Sequence, residues 1–78
     1  MARFFFHLYD DTVALDEEGS ECPDLAAAHA KAVRSAREMA CQEVLEGHLN
    51  LTHRIDVADE NGAVLATVRF QDIVKLKA

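Results

Sequence analysis

A helical repeat of apolar residues, running from residue 25 to about residue 46, most constrains how this 78-residue chain can fold. The apolar positions recur every three or four residues, so they share one side of a helix. Asp24 precedes the repeat as an N-cap, and Gly47 follows it where a helix ends. The apolar stripe comprises Leu25, Ala28, Ala32, Val33, Ala36, Met39, Ala40 and Val44. Its alanines let the helix lie close to a sheet, of which a single helix covers one face.

A hairpin precedes the helix. Its strands are predicted at residues 3–9 and 12–17, with Asp10 and Asp11 as a two-residue loop. This register pairs the apolar residues on one face, Leu8 with Val13 and Phe6 with Leu15. We expect Phe6 to be buried centrally, near Ala32 and Ala36 of the helix.

A second hairpin follows the helix, within residues 53–70, and Asn61-Gly62 is its turn signal. A two-residue loop pairs Val57 with Ala66 and Ile55 with Val68 on one face. The other face then pairs Arg54 with Arg69, Asp56 with Thr67, and Ala58 with Leu65. Residues 71–78 fit either a strand extension or a helical turn capped by Asp72, and the pattern does not choose between them.

The predicted fold is α+β with the order ββαββ, in one domain that spans residues 1–78. A wholly antiparallel four-stranded sheet results if the first strand lies beside the third, which gives the spatial order 2-1-3-4. The long helix then packs on one face of the sheet.

Five segments carry a resemblance to a known family: RFFFHLYD at 3–10, DEEG at 16–19, PDLAAAHAKAVRSAR at 23–37, IDVADENG at 55–62 and VRFQD at 68–72. Together they resemble a family of short bacterial proteins of unknown function. The resemblance covers nearly the whole chain, although the hairpin between Leu8 and Asp16 is shorter than in many relatives. It implies a compact α+β unit, and it assigns no activity, ligand or catalytic residue to any position.

Charge and cysteine content restrict the environment and the partners. The net charge of −6, from 14 acidic and 8 basic residues, opposes binding to phosphate backbones. Cys22 and Cys41 are predicted to be too far apart along the helix for a disulfide, and two free thiols suit a reducing cytoplasm. No apolar run is long enough for a secretory signal or a membrane span, so we expect a cytoplasmic protein.

Residue types used in catalysis and metal binding are present, but their spacing fits neither role. The histidines are His7, His29, His48 and His53, and none belongs to a zinc-binding or metalloprotease pattern. His29 is expected at the margin of the core, and His48 near the negative end of the helix dipole. The acidic pairs fall at turns or strand ends, and neither Ser20 nor Ser35 has a spaced base. We therefore expect no enzyme activity, no cofactor and no metal.

The uncovered sheet face is the candidate functional surface. Strand alternation places aromatic and basic residues there. The predicted interface residues are Arg3, Phe5, His7, Tyr9, Arg54, Leu65 and Arg69. Self-association as a homodimer is the favoured interpretation, because a domain below about 80 residues gains little stability from its own core. An unidentified protein partner, single-stranded RNA stacked on the aromatic rings, and a solvated monomer are the alternatives.

Overall fold

The structure is a computed structural model that describes residues 1–77. The described residues form the strands β1 (Ala2–Tyr9), β2 (Val13–Ala14), β3 (Ser20–Cys22), β4 (Arg54–Ala58) and β5 (Val64–Arg69), and the helices α1 (Leu25–Leu45) and α2 (Phe70–Ile73). The strands build one antiparallel sheet in the order β2-β1-β4-β5, and β3 pairs with the first residues of β1. The α+β class is confirmed. Four strands have the predicted neighbours, and β3 is a fifth strand that the sequence pattern did not predict.

The register predicted for the first hairpin is wrong by one residue. Leu8 pairs with Ala14, and Tyr9 pairs with Val13. The cause is a turn of three residues, 10–12, in which the Asp10 carboxylate accepts hydrogen bonds from the backbone N–H and the hydroxyl of Thr12, at 2.9 and 3.2 Å. Because a shift of one residue exchanges the two faces of a strand, Val13 is exposed instead of packed against the core.

Residues 15–19, here called the 15–19 loop, separate β2 from β3. Asp16 holds the loop: its Oδ2 accepts a hydrogen bond from the Phe6 N–H at 3.1 Å, and its Oδ1 accepts from the N–H groups of Glu18 and Gly19 at 3.1 and 3.0 Å. The Asp16 side chain thus replaces a strand partner for β1. Burial disfavours its charged form, but these three hydrogen bonds outweigh burial and lower the pKa of Asp16 below its usual value.

The helix packs on the sheet through alanine, as predicted. Ala28, Ala32, Ala36 and Ala40 are all buried in the core. Asp24 caps the first turn by accepting a hydrogen bond from the Ala27 N–H at 2.8 Å. The two ends of the predicted stripe are wrong, since Leu25 and Val44 are exposed. The alanines form the contact because their short side chains let the backbones approach, whereas the ends of α1 are less covered by the sheet.

The aromatic centre of the core differs from the prediction. Phe4 and Phe70 are buried, with Phe70 completely inaccessible, whereas Phe6 is half-buried and has the Lys31 ammonium 5.3 Å from its ring centroid. Phe70 reaches the core because β5 ends at Arg69, where the chain turns into α2. The carboxylate of Asp72 accepts a hydrogen bond from the Arg69 N–H at 3.1 Å. The capped helical turn is therefore the correct alternative for residues 70–73; Ala78 lies outside the described residues.

The second hairpin has most of its predicted pairs, including Ile55 with Val68 and Val57 with Ala66. Its turn is wider than predicted, because the Asp59 carboxylate accepts hydrogen bonds from the N–H groups of Asn61 and Ala63, both at 2.9 Å. A β-bulge follows at Val57/Ala58, so Ala58 pairs with Val64 and not with Leu65.

The two cysteine thiols have different environments. Cys22 is buried in the core beside β1, and Cys41 is exposed on α1. Both are free, which confirms the prediction that they do not bridge within the described chain.

Candidate functional site

The sheet face opposite α1, here called the open face, is the first candidate site. Along β4, Ile55 and Val57 belong to the core, so alternation turns Arg54 and Asp56 to the open face. Pairing extends the same face over the other strands: His7 lies opposite Asp56, and Tyr9 lies opposite Arg54. By this register, the predicted interface residues share the open face: Arg3, Phe5, His7, Tyr9, Arg54, Leu65 and Arg69.

A buried carboxylate lies at the centre of the open face. Asp56 is only 7% exposed, and its Oδ1 accepts hydrogen bonds from the Thr67 hydroxyl at 2.9 Å and from Arg54 Nε at 3.3 Å. The Arg54 guanidinium also lies 4.2 Å from the centroid of the Tyr9 ring. Arg54 is therefore neutralised within its own chain, although it pairs directly with the like-charged Arg69.

The aromatic residues near the start of β1 are partly covered by the 15–19 loop. His7 Nδ1 accepts a hydrogen bond from the Asp16 N–H at 3.0 Å, so the proton of a neutral His7 is on Nε2. The Phe5 and His7 rings stack with their centroids 6.5 Å apart. Gly19 lies against Phe5, and Arg3 reaches the same loop by donating to the Glu18 carbonyl at 2.7 Å. Phe5 is therefore half-buried instead of fully available for contact.

The accessible apolar part of the open face lies on either side of this centre. Leu65 is 43% exposed on β5, and Val13 on β2, which pairs with Tyr9, is 61% exposed on the opposite side. At the end of the same strand as Leu65, the Arg69 side chain has no carboxylate within 4.0 Å among residues 1–77. An occupant of this face would contact two apolar strips and an unpaired cation.

A second candidate site is formed by His53, Glu43 and Asp11, here called the His53 cluster. His53 is 5% exposed, and its Nδ1 lies 2.7 Å from Oε2 of Glu43 on α1. Its Nε2 points to the Asp11 carboxylate at 3.4 Å and has no hydrogen-bond partner among the described residues. The Phe70 ring lies edge-on to the imidazole, with the centroids 5.6 Å apart. This cluster joins the helix, the loop before β4 and the β1–β2 turn.

Charge pairing shifts the pKa values in the His53 cluster. Burial alone would lower the pKa of His53, but the hydrogen bond and charge of Glu43, and then those of Asp11, outweigh it and raise that pKa. Burial likewise opposes the charged form of Glu43, and bonds from the Asn50 N–H and from His53 lower its pKa overall. For Asp10, hydrogen bonding to the Thr12 N–H is the largest influence, and its pKa is lowered. The arrangement therefore favours a protonated imidazole between carboxylates.

Sequence reasoning considered His53 only as a metal ligand and missed its partner. Glu43 lies seven residues after Ala36, two turns along the buried stripe, and its side chain is 13% exposed. A carboxylate on the buried side of a helix needs a hydrogen-bond or ion-pair partner. The position of Glu43 in the helical repeat was therefore a sequence signal for such a partner. The other two histidines on the helix side differ from each other: His29 is exposed, contrary to the prediction, and His48 lies 4.0 Å from Glu43.

Neither site has the geometry of an enclosed ligand cavity. The surface formed by residues 1–77 has no detectable pocket. Within the same residues, no group of three or more histidine, cysteine, aspartate or glutamate side chains is arranged to hold a metal ion. No helix in the described part of the chain is long and apolar enough to cross a membrane.

Comparison with known families identifies the domain. The model of a domain of unknown function, DUF6894, matches residues 3–71. The chain belongs to the DUF6894 family. This confirms the family of unknown function that the sequence resembles.

The open face and the His53 cluster both lie within the matched residues, so both are parts of the DUF6894 domain itself. Searches of the curated proteins and of the solved structures found no match. In this DUF6894 protein, the open face and the His53 cluster are therefore the two features that bear on function.

Proposed function

We propose that this protein is a small non-enzymatic module that self-associates through its open face, in the cytoplasm. The main supporting observation is that Leu65 and Val13 are exposed on a sheet face that no helix of the described chain covers. Exposed apolar residues that share one uncovered face are a feature of contact sites. The absence of a pocket among residues 1–77 favours a binding role over catalysis, and the two free thiols suit a reducing compartment.

The charge distribution favours a second copy as the occupant. One end of the open face carries Arg69, which has no ion-pair partner among residues 1–77, beside Arg54, which is paired with Asp56. The other end carries Glu60, in the β4–β5 loop, and Glu21, which is paired with Arg3. If the twofold axis between two stacked faces is perpendicular to the strands, the basic end of each copy meets the acidic end of the other. An axis parallel to the strands would place arginine on arginine. Electrostatics therefore selects the perpendicular arrangement, which gives Arg69 a partner.

The available area sets the strength of the association. Four strands spaced about 4.8 Å apart, with six residues of about 3.3 Å each, give a face of about 400 Å². Two copies would bury about 800 Å² in total, which is below the about 1,200 Å² of the smallest stable interfaces. We therefore expect a weak dimer that forms at high protein concentration and dissociates on dilution.

Single-stranded RNA is the rival occupant, and the contacts on the open face oppose it. Base stacking requires accessible ring faces. The Arg54 guanidinium already covers the Tyr9 ring at 4.2 Å, and Phe5 is stacked with His7 and covered by the 15–19 loop. The net charge of −6 adds repulsion at a distance. These contacts favour a protein surface over a nucleic acid.

The test compares two leucines replaced by the same charge. Leu65→Glu puts a carboxylate on the open face, and Leu45→Glu puts one at the exposed end of α1, where Leu45 is 76% accessible. Light scattering after size exclusion should give a concentration-dependent rise in mass for wild type and for Leu45→Glu. Leu65→Glu should stay monomeric. Phe5→Glu is a poorer probe than Leu65→Glu, because the Phe5 ring packs against Gly19.

Two outcomes would overturn the proposal. One is a wild-type mass that remains that of the monomer at millimolar protein concentration. The other is an equal loss of association in both leucine variants, which would place the contact elsewhere. A rise in mass that requires added single-stranded oligonucleotide would support the rival RNA occupant.

A further inference from the structure

The His53 cluster has a chemical asymmetry between the two nitrogens of one buried ring. Nδ1 has a short contact with Glu43 at 2.7 Å, and this contact suits a neutral or a charged imidazole. Nε2 has only the Asp11 carboxylate, at 3.4 Å, and lacks a hydrogen-bond partner in the described chain. If the ring is neutral with its proton on Nδ1, the Nε2 lone pair faces an anion. If the ring is charged, Nε2 carries a proton toward that anion.

The groups around the ring are almost all acidic. Glu43 faces it from α1, and Asp11 faces it from the β1–β2 turn, where Asp10 also lies close enough to interact with its charge. His48, in the loop after α1, lies 4.0 Å from Glu43 on the side away from the ring contact. The α2 side contributes the uncharged Phe70 ring. A positive charge at His53 therefore satisfies carboxylates on two elements at once.

We propose that His53 is a pH-sensitive clamp, whose protonated ring attaches the β1–β2 turn to α1 and whose neutral ring releases it. The helix side of the clamp is permanent, because Glu43 also accepts a hydrogen bond from the Asn50 N–H at 2.9 Å and so stays oriented. The turn side is switchable, because Asp11 is 85% exposed and has His53 as its only ion-pair partner among residues 1–77. When Nε2 loses its proton, the contact changes from attraction to repulsion.

The direction of the pH response follows from the sign of the interaction. Because the folded state holds the imidazole proton more tightly than the unfolded chain does, the clamp is closed below the ordinary imidazole pKa of 6.5. It opens as the pH rises through the higher pKa of the folded protein. The clamp also regulates the proposed self-association, since Tyr9 and Val13 of the open face flank the turn. That consequence rests on the proposed function, whereas the clamp itself does not.

The experiment follows the turn and the ring separately in a monomeric protein. Leu65→Glu serves as the background, so that self-association does not contribute. NMR titration from pH 5.5 to about 8.5 brackets the ordinary imidazole pKa and records the His53 ring carbons and the methyl groups of Thr12 and Val13. We expect the methyl groups to shift with the same midpoint as the His53 ring, and that midpoint to lie above the value of an unfolded histidine.

Two acid-to-amide variants separate the clamp from a general charge effect. Asp11→Asn removes the Nε2 partner, and Glu60→Gln removes one charge from the other hairpin. Asp11→Asn should lower the His53 midpoint and abolish the shift of the turn methyl groups, while Glu60→Gln should reproduce the wild-type titration. The proposal is overturned if the methyl groups do not follow the His53 ring, or if Asp11→Asn leaves both titrations unchanged. If the wild-type protein does not dimerise but the turn methyl groups still titrate together with the His53 ring, the proposed function is wrong and the clamp is unaffected.

Discussion

At the scale of single residues, Gly19 has the tightest surroundings of the turn glycines. Its φ is +72°, in the left-handed region, and a Cβ built there would lie 2.9 Å from Arg3 Cγ and 2.9 Å from the Phe4 carbonyl oxygen. Gly62 shares the left-handed conformation, with a φ of +84°, but a Cβ at that position would have no other atom within 4 Å among residues 1–77. A side chain at Gly62 would cause backbone strain only, whereas a side chain at Gly19 would cause backbone strain and a steric clash.

Replacing each of these glycines by alanine should have unequal costs. Gly62→Ala should lower the free energy of unfolding by about 1 kcal/mol, from left-handed strain alone. Gly19→Ala should lower it by about 2–3 kcal/mol, because its methyl group also meets backbone that cannot move aside easily. Urea denaturation of both variants measures the difference. Equal destabilisation would mean that the 15–19 loop yields, and that Gly19 is needed only for its φ.

At the scale of elements, the 15–19 loop is organised by one side chain. Asp16 accepts three backbone hydrogen bonds, from Phe6, Glu18 and Gly19, and so joins the end of β2 to the start of β3 along β1. The side chain of the N-cap Asp24 accepts one hydrogen bond, from the Ala27 N–H. Both aspartates lie at the boundary of an element, but Asp16 satisfies three backbone donors and Asp24 satisfies one.

Replacing each aspartate by alanine should lower the free energy of unfolding, and by more for Asp16 than for Asp24. Asp24→Ala should cost about 1 kcal/mol, as for other N-caps. Asp16→Ala should cost about 2–3 kcal/mol, because it leaves three N–H groups without their acceptor, one of them in a strand of the sheet. Thermal and urea unfolding provide the comparison. If Asp16→Ala is the milder change, water satisfies the three donors and β3 does not depend on Asp16.

What the sequence could predict was governed by how local each signal is. The helix and its Asp24 cap follow from residue spacing within one segment. The pairs between β4 and β5 follow from the short separation of those two strands along the sequence. The register of β1 and β2 depends instead on a side-chain contact, Asp10 to Thr12, which competes with a standard two-residue turn. The strand β3 depends in the same way on Asp16.

The candidate sites differ in the same respect. Alternation along β1 and β4 was sufficient to assign the open face, because that rule needs no tertiary contact. The His53 cluster brings together residues 11, 43 and 53 from a turn, a helix and a loop, and no spacing rule connects them. Phe6 was misplaced for a related reason: Phe70 takes the centre of the core only because the chain turns after Arg69.

At the scale of the whole molecule, the chain is elongated and exposes more surface than its mass requires. Its dimensions are 41 × 24 × 17 Å, and its accessible surface is 5251 Å². A monomer of 8.6 kDa is expected to expose about 4,700 Å². The difference is consistent with a sheet covered on one face only, and with a small margin of stability on which its ionisable groups have a large influence.

Stability should therefore depend on pH in both directions. The pKa values of Asp16 and Glu43 are lowered on folding, so their contributions are present above the ordinary values of 3.8 and 4.5 and are lost as the pH falls. The pKa of His53 is raised, so its contribution is present below 6.5 and is lost as the pH rises through the folded value. The free energy of unfolding should be greatest between about pH 5 and 6.5 and should fall by pH 8.

Urea unfolding at a series of pH values tests this profile. His48→Gln is the matched control, since His48 is the exposed histidine 4.0 Å from the same Glu43, and it should preserve the decline above pH 6.5. A free energy that stays constant from pH 6.5 to 8 in the wild type would contradict the assignment of a tightly held proton to His53.

The position of β1 in the sheet has a consequence for how the protein is made. This strand pairs with β2, β3 and β4, and its longest pairing is with β4. The first residue of β4, Arg54, follows Tyr9 by 45 positions in the sequence. At a translation rate of about 5–20 residues per second, about 2–9 s separate the synthesis of the two strands. During that interval the three consecutive phenylalanines of the nascent chain lack their main partner. We expect the nascent chain to be a good client for ribosome-associated chaperones until β4 has been synthesised and can pair with β1.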